Sequence, residues 1–242
     1  MIEIMFSDLK EEKQKEILKK LKSLSNPKNV AGMARFGINS KNTLGVSVPN
    51  LRKLAKTIGK DHKLAQRLWD SGIHEAKILA SMIDDSKLVT EKQMDGWVGD
   101  FDSWDVCDQV CMNLFDKTSF AFEKATKWTK SSKEFVKRAG FSMMACLAWH
   151  DKKSNDKEFV KFFPIIKKES TDERNFVKKA VNWALRQIGK RNSKLNKEAT
   201  KIAKEIQKID SKTAKWIAKD SIKELESPAV QRKLKSKFLI FK

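Results

Sequence analysis

The sequence predicts an all-α protein, an α-solenoid of HEAT-like antiparallel helix pairs with a concave basic face. Apolar residues recur with helical period along most of the chain, and no stretch alternates polar and apolar residues as a strand does. The segment FVKRA at 135–139 returns as FVKKA at 176–180, 41 positions later. A repeat of this length is typical of helix pairs stacked in an array.

The N-terminal part contains the longest irregular stretch of the chain. Residues 3–24 have a charged amphipathic pattern, which predicts a helix that ends before Pro27. A short helix is expected over 30–36. Residues 38–48 are rich in Asn, Ser and Gly and predict a loop, and Pro49 opens the next helix at a position that proline tolerates.

From Pro49 onward, helical segments follow one another without a linker-like stretch, which indicates one domain over 1–242. Within it we predict an N-terminal helix and cap (1–27), a repeat array (28–226) and a C-terminal tail (227–242) that ends in the apolar residues 238–241. The segments with helical period are 49–58, 61–70, 74–84, 90–98, 103–116, 119–129, 132–149, 156–167, 172–190, 195–208 and 211–225.

The formal net charge of +20, which comes almost wholly from lysine, favours a polyanionic partner. Nucleic acid is the first candidate and an anionic membrane the second. No apolar run approaches the length of a bilayer span, so we expect no membrane partner. The N-terminus lacks the apolar centre and cleavage site of a signal peptide, so we expect a cytoplasmic, nucleoid-associated monomer.

The three cysteines, an odd number without disulfide-type spacing, suit a reducing compartment. Cys107 and Cys111 lie one helical turn apart, as do Cys146 and His150, so a zinc site joining two helices is conceivable. Neither pair has the short spacing of structural zinc sites. Buried core positions are the favoured interpretation, and we expect no metal and no cofactor.

The helix predicted over 172–190 has two distinct faces. One is a core stripe of apolar residues. The other combines three cations with an indole, a pattern that fits contacts to phosphates with one aromatic surface between them. A solvated basic face is the alternative. Arg138 occupies the Lys179 position one repeat earlier and adds a cation to the same side. The second face consists of Lys179, Trp183, Arg186 and Lys190.

A second notable stretch begins the helix predicted near 103–116. Asp102 is expected to be its N-cap, and Asp105 lies in the first turn, where the helix dipole favours negative charge. Asp108 follows Trp104 by one turn and leads to Cys111 and Phe115 on a face turned away from the predicted core stripe (106, 110 and 114). A solvated or salt-bridged aspartate is the alternative interpretation.

A carboxylate on a phosphate-binding surface repels its ligand, so it is useful only if positive charge develops on the nucleic acid. Departure of a base from its sugar leaves an oxocarbenium-like centre, which a fixed anion stabilises more than the ground state. The same carboxylate can orient water, and indoles can attract the developing cation. A leaving base that alkylation has made cationic needs no general acid. This fits the two helix faces described above, because neither His62, His74 nor His150 lies on them.

The chain resembles the AlkD-type DNA alkylation repair glycosylases over roughly residues 28–226. The resemblance is carried by four stretches in the same order: MARF at 33–36 with GVSVP at 45–49, SWDVCD at 103–108, FVKRA at 135–139, and NFVKKAVNWALR at 175–186. It implies a HEAT-like solenoid that holds duplex DNA in a basic groove and hydrolyses N3- and N7-alkylated cationic purines without flipping the damaged base.

The resemblance also implies roles for individual residues. Asp108 corresponds to the catalytic aspartate, Trp104 and Trp183 to the indoles around the sugar of the lesion, and Arg138 to an arginine that contacts the backbone nearby. Phe36 stands where active members carry tyrosine, so a hydroxyl contact is absent. The remaining residues expected to bind DNA are Arg35, Lys179, Arg186 and Lys190.

The predicted function is therefore a metal-free DNA glycosylase acting on double-stranded DNA that carries alkylated bases. The main alternative is a non-catalytic protein that binds distorted or branched DNA with the same basic groove. A protein-interaction scaffold, a common use of such solenoids, is a third possibility. A metal-dependent nuclease using Asp84, Asp85 or Asp100 is a fourth, although these residues lack a recognisable ligand spacing.

Overall fold

A computed structural model describes the backbone of residues 2–240 and the side chains of residues 11–236. Between residues 2 and 240 the regular structure is entirely helical, so the all-α prediction is confirmed. Two compact units can be distinguished, Met1–Thr118 and Ser119–Lys242. The single domain and its concave basic face stay predictions.

Over residues 2–118, the first unit contains seven α-helices and a short 3-10 turn at Phe115–Lys117. Helix α5 lies at its centre, since α5 packs against α3, α4 and α7 and is apolar over most of its length. Trp69 and Trp97 stack in the core with ring centroids 4.0 Å apart. The helices are α1 (Ile2–Ser23), α2 (Pro27–Arg35), α3 (Val48–Ile58), α4 (His62–Asp70), α5 (His74–Ile83), α6 (Glu91–Gly99) and α7 (Trp104–Asn113).

The second unit contains both copies of the repeated segment, and the two helices that carry them pack against each other. Helix α9 lies along α12, where the repeated Phe135 and Phe176 have ring centroids 5.5 Å apart. Helix α12 also packs against α13 and α14. The helices are α8 (Ala121–Trp128), α9 (Glu134–His150), α10 (Asp156–Val160), α11 (Phe163–Glu169), α12 (Asn175–Gly189), α13 (Ser193–Gln207), α14 (Lys212–Leu225) and α15 (Pro228–Ile240).

Several helix bounds differ from the prediction, and two of the differences have a clear cause. Helix α2 begins at Pro27, because the side chain of Asn26 accepts the N–H groups of Lys28 and Asn29 and so caps it earlier than expected. The prediction of a single helix over 156–167 is wrong. The helix is interrupted after α10, and Pro164 lies in the first turn of α11, a position that does not need its missing N–H.

The C-terminal tail is helical from Pro228 to Ile240, with Leu234 buried. The apolar residues 238–241 at its end lie outside the residues whose side chains are described, as do residues 3–10 of the predicted N-terminal helix.

Candidate nucleic-acid interface

Trp104 opens helix α7 and contacts the end of helix α2. Its indole Nε1–H donates a hydrogen bond of 3.1 Å to the main-chain carbonyl of Phe36, the C-cap of α2. The side chain of Phe36 is 73% exposed, and Arg35 beside it is also exposed. The structure therefore brings Phe36 and Trp104 together, with an aromatic ring and a guanidinium presented to solvent at the same place.

The loop between α2 and α3 is held in place by a buried carboxylate. Glu75, 1% exposed on α5, accepts the backbone N–H groups of Leu44, Gly45 and Val46 at 2.8, 2.6 and 3.2 Å. Gly45 has a positive φ of 79°, and a Cβ there would collide with the carbonyl of Asn26. The predicted loop is thus a fixed structure.

The same loop also contacts the start of α7. The backbone N–H of Asn39 donates to Ser103 Oγ at 2.9 Å, and Asn39 Nδ2 donates to Asp102 at 2.7 Å. The prediction that Asp102 is the N-cap of α7 is wrong. The N-cap is Ser103, and the Asp102 carboxylate accepts a hydrogen bond from the loop instead. The loop that follows Phe36 is therefore bonded to the residues that precede Trp104, which fastens the end of α2 to the start of α7.

Asp105 has a partner that the sequence analysis missed. His74, only 4% exposed at the start of α5, forms a 2.8 Å hydrogen bond through Nε2 to Asp105. Burial alone lowers the pKa of His74, but the hydrogen bond and the negative charge of Asp105 outweigh it, so the pKa is raised. Asp105 therefore joins α7 to α5 in addition to lying in the first turn of α7.

Asp108 lies one turn after Trp104 on α7 and is half-buried. The face that continues from it is apolar, since Cys111 and Phe115 are fully buried. The expectation that this face points away from the core is wrong, because Cys111 and Phe115 are as completely buried as the predicted core stripe at 106, 110 and 114. A half-buried carboxylate next to apolar surface is more weakly screened than one in water.

In the second unit, Arg138 is almost completely buried at 5% exposure and joins two repeats. Its Nη1 donates to the main-chain carbonyl of Phe176, near the start of α12, at 2.6 Å. On α12 itself, Lys179 is exposed and Trp183 half-buried. Arg138 therefore joins α9 to the start of α12. The expectation that it presents its charge on the same side as Lys179 is wrong, because Arg138 is buried whereas Lys179 is exposed.

The C-terminal half of the predicted basic stripe is paired with carboxylates of α14. Arg186 forms an ion pair with Glu224 and lies 3.6 Å from Asp220, and Lys190 contacts Glu224 at 2.5 Å. The pKa of Glu224 is lowered, because Lys190 and Arg186 outweigh the effect of burial. Sequence analysis missed Glu224, which lies 38 positions after Arg186.

The carboxylates of the nuclease hypothesis have other partners. Asp84 is fully buried and accepts from Gln93 at 2.7 Å, with His62 Nδ1 at 2.6 Å. Asp100 accepts the indole N–H of Trp69 at 3.0 Å. Among the side chains of residues 11–236, no three His, Cys, Asp or Glu groups form a cluster that could hold a metal ion. The three cysteines are buried.

No helix within the described part of the chain has both the length and the apolar character needed to cross a bilayer.

Comparison with solved structures shows the fold. One structure, described as "a new family of proteins related to the HEAT-like repeat DNA glycosylases with affinity for branched DNA structures", matches with a TM-score of 0.71 at 22% identity, over 85% of this chain and 92% of that one. An engineered protein at 13% identity and a designed armadillo repeat protein bound to a (KR)4 peptide at 14% have TM-scores of only 0.39 and 0.37, which are too low to indicate the same fold. The chain therefore has a HEAT-like fold.

Comparison with known sequences gives one informative result. No curated protein matches the sequence. A family profile described as "DNA alkylation repair enzyme" matches residues 17–225, which is most of the chain.

Proposed function

The chain belongs to the DNA alkylation repair enzyme family, and from this membership we propose that it is a glycosylase that removes cationic N3- and N7-alkylated purines from duplex DNA. The observation that carries the proposal is the pairing on α7 of a half-buried carboxylate, Asp108, with Trp104, whose indole is anchored to Phe36.

The reaction requires stabilisation of positive charge on the sugar. As the bond from C1′ to the purine nitrogen breaks, its electrons neutralise the cationic base and the charge moves to the sugar. The Asp108 carboxylate stabilises that charge and orients a water whose oxygen bonds to C1′ while its proton leaves to the carboxylate or to solvent. The Trp104 indole offers its face to the same cation.

DNA binding is assigned to residues of both units. In the first unit, the exposed Arg35 and Phe36 adjoin Trp104. In the second, exposed Lys179 offers a charge to phosphate, and half-buried Trp183 an apolar surface to the sugar. To the surface of the second unit we also assign Arg186 and Lys190, which their ion pairs with Glu224 hold in position. Arg138 is only 5% exposed, so we assign it the role of positioning the start of α12 through its bond to Phe176. The proposal includes a cytoplasmic, nucleoid-associated monomer that acts without flipping the damaged base.

The test is release of 7-methylguanine and 3-methyladenine from methylated duplex DNA, with a chelator present. Asp108→Asn should lower the single-turnover rate by about 10²- to 10³-fold, the effect of removing one group that stabilises transition-state charge. Asp70→Asn, at an exposed aspartate that ends α4, should leave the rate unchanged. Duplex affinity of the Asp108 variant should stay equal or rise, because a repulsive charge is lost.

Two outcomes would contradict the proposal. Asp108→Asn could release base as fast as the wild type, in which case Asp108 is not catalytic. Alternatively, the wild type could bind duplex DNA with a steep salt dependence and release no base.

The second outcome would favour a non-catalytic binder of branched or distorted DNA. One observation supports this candidate: the structural match at a TM-score of 0.71 is to a protein described as having affinity for branched DNA structures. Such a binder should prefer a four-way junction over a linear duplex of the same length, and Asp108→Asn should keep that preference.

A further inference from the structure

The second unit contains a basic cavity that shares only Lys190 with the residues assigned to DNA binding in the proposed function. It lies where α9 and α12 end, against one side of α15, and has a volume of about 260 Å³. This is near the lower end of the range for ligand pockets, too small for a duplex. The cavity is lined chiefly by Trp149, Lys152, Lys190, Arg191, Val230 and Lys233.

The lining of the cavity carries four cations, Lys152, Lys190, Arg191 and Lys233, and carboxylates lie near two of them. Glu224 pairs with Lys190, and Asp151 and Asp156 lie near Arg191. The pKa of Lys152 is nevertheless lowered, by burial and by the positive charges of Arg191 and Lys233, which together outweigh Asp151. Cations that repel one another in this way favour an anionic ligand.

The cavity wall is fixed in place by Arg191. Its guanidinium donates to the main-chain carbonyls of Asp151 and, at 3.0 Å, Ser154, and its central carbon lies 4.2 Å from the centroid of the Phe159 ring. These bonds are made to main-chain carbonyls, and they orient the guanidinium at the edge of the cavity. A charge held in this way does not have to be ordered when the ligand binds.

The cavity also has an exposed aromatic surface. Trp149 is 52% exposed and stacks on His150 with ring centroids 4.9 Å apart and an interplanar angle of 25°. Single exposed rings are common on protein surfaces, so this one is notable because cations line the same cavity. Next to fixed cations, it matches the arrangement that binds single-stranded nucleic acid, in which a base stacks on the ring and the phosphate meets the charges.

We propose that this cavity binds one unpaired nucleotide of a DNA strand, with the base on Trp149 and the phosphate between Lys152 and Lys233. The inference rests on the DNA partner of the proposed function, but not on the catalytic role of Asp108. It gives the protein a second contact for DNA in which a single strand adjoins the duplex.

The experiment compares binding of a blunt duplex with binding of the same duplex carrying a short single-stranded thymidine tail. The wild type should bind the tailed DNA at least about fivefold more tightly, the lower end of what stacking of one base contributes. Trp149→Ala should abolish this preference and leave blunt-duplex affinity unchanged. Trp216→Ala is the matched control, because Trp216 on α14 is also exposed, at 42%, and does not line the cavity.

A second pair of variants tests the phosphate contacts. The double variant Lys152→Gln, Lys233→Gln should lose the tail preference. The control Lys157→Gln, Lys219→Gln removes two exposed lysines outside the cavity and should weaken both DNAs equally. Circular dichroism of each variant confirms that it is folded.

The outcomes separate this inference from the proposed function. A tail preference that survives Trp149→Ala, or a wild type without any preference, overturns the inference. Tight binding of thymidine monophosphate with no gain from the tail also overturns it, because the cavity would then be a site for free nucleotides. Loss of base release in Asp108→Asn together with an intact tail preference supports both proposals, and absence of base release in the wild type contradicts only the glycosylase.

Discussion

The indole N–H of Trp104 donates to the main-chain carbonyl of Phe36 across 68 positions of the chain. Because the acceptor belongs to the backbone, the contact does not depend on which side chain stands at position 36. The ring of Phe36 is left exposed at 73%, and Trp104 is held one turn before Asp108. The hydrogen bond thereby gives Trp104 a structural role that the exposed ring of Phe36 does not share.

This contrast predicts different effects of two substitutions. Trp104→Phe removes the donor and should lower the free energy of unfolding by about 1 kcal/mol, the usual net value of a hydrogen bond. Phe36→Ala removes an exposed ring and should change stability by less than about 0.5 kcal/mol while weakening duplex binding severalfold. Urea denaturation measures the free energy of unfolding of each variant, and a DNA titration measures its duplex affinity. Equal loss of stability in the two variants would show that the Phe36 ring is structural.

Two helical glycines should respond oppositely to alanine. A Cβ at Gly140 on α9 would lie 2.7 Å from the backbone nitrogen of Thr129, whereas nothing lies within 4 Å of the position at Gly96 on α6. Gly140→Ala should therefore cost about 1–3 kcal/mol through overpacking between α8 and α9. Gly96→Ala should stabilise by about 0.5–1 kcal/mol. The urea midpoints of the two variants test these stability changes. If Gly140→Ala left the stability unchanged, α8 would have to shift freely to make room for the Cβ.

The His74–Asp105 pair predicts a pH-dependent stability. The pKa of His74 is raised in the folded protein, so its contribution is complete below the ordinary value of 6.5 and is lost as the pH rises through the higher folded value. The stability difference between the wild type and Asp105→Asn should therefore shrink from pH 6 towards alkaline pH. His150→Gln, at an exposed histidine, is the control. A difference that does not vary with pH would contradict the charged pair.

Removal of the carboxylate that pairs with α12 should strengthen DNA binding. Glu224→Gln removes the carboxylate that pairs with both Arg186 and Lys190, so duplex affinity should rise severalfold and its salt dependence should steepen. The stability cost should be at most about 1 kcal/mol, because the pair is partly exposed. Glu226→Gln, which breaks an exposed pair with Lys204, is the control. An equal rise in both variants would indicate a general charge effect.

Several features of the site were predictable because they depend on local sequence. Helical period located most helices, and the repeat of 135–139 at 176–180 correctly placed α9 beside α12. The spacing of Trp104 and Asp108 by four residues puts them on one face of any helix. Local signals were weaker at helix ends, where Asn26 and Ser103 are the caps and Asp102 is not.

The contacts that join separate helices were not predictable. Glu224 meets Arg186 and Lys190 because α14 packs against α12, and Glu75 meets the backbone at Gly45 because a loop folds onto α5. A chain with 51 basic and 31 acidic residues offers too many possible pairs for sequence spacing to select among them.

The sequence by itself therefore determined the helical class, the repeat and the residues that share one face of α7 or α12, because helix geometry follows from neighbouring residues. Only the tertiary structure decided that Trp104 rests on Phe36, that Asp105 binds His74, and which cations of α12 carry partners. Those contacts join residues more than thirty positions apart, and their geometry exists only once the helices have packed.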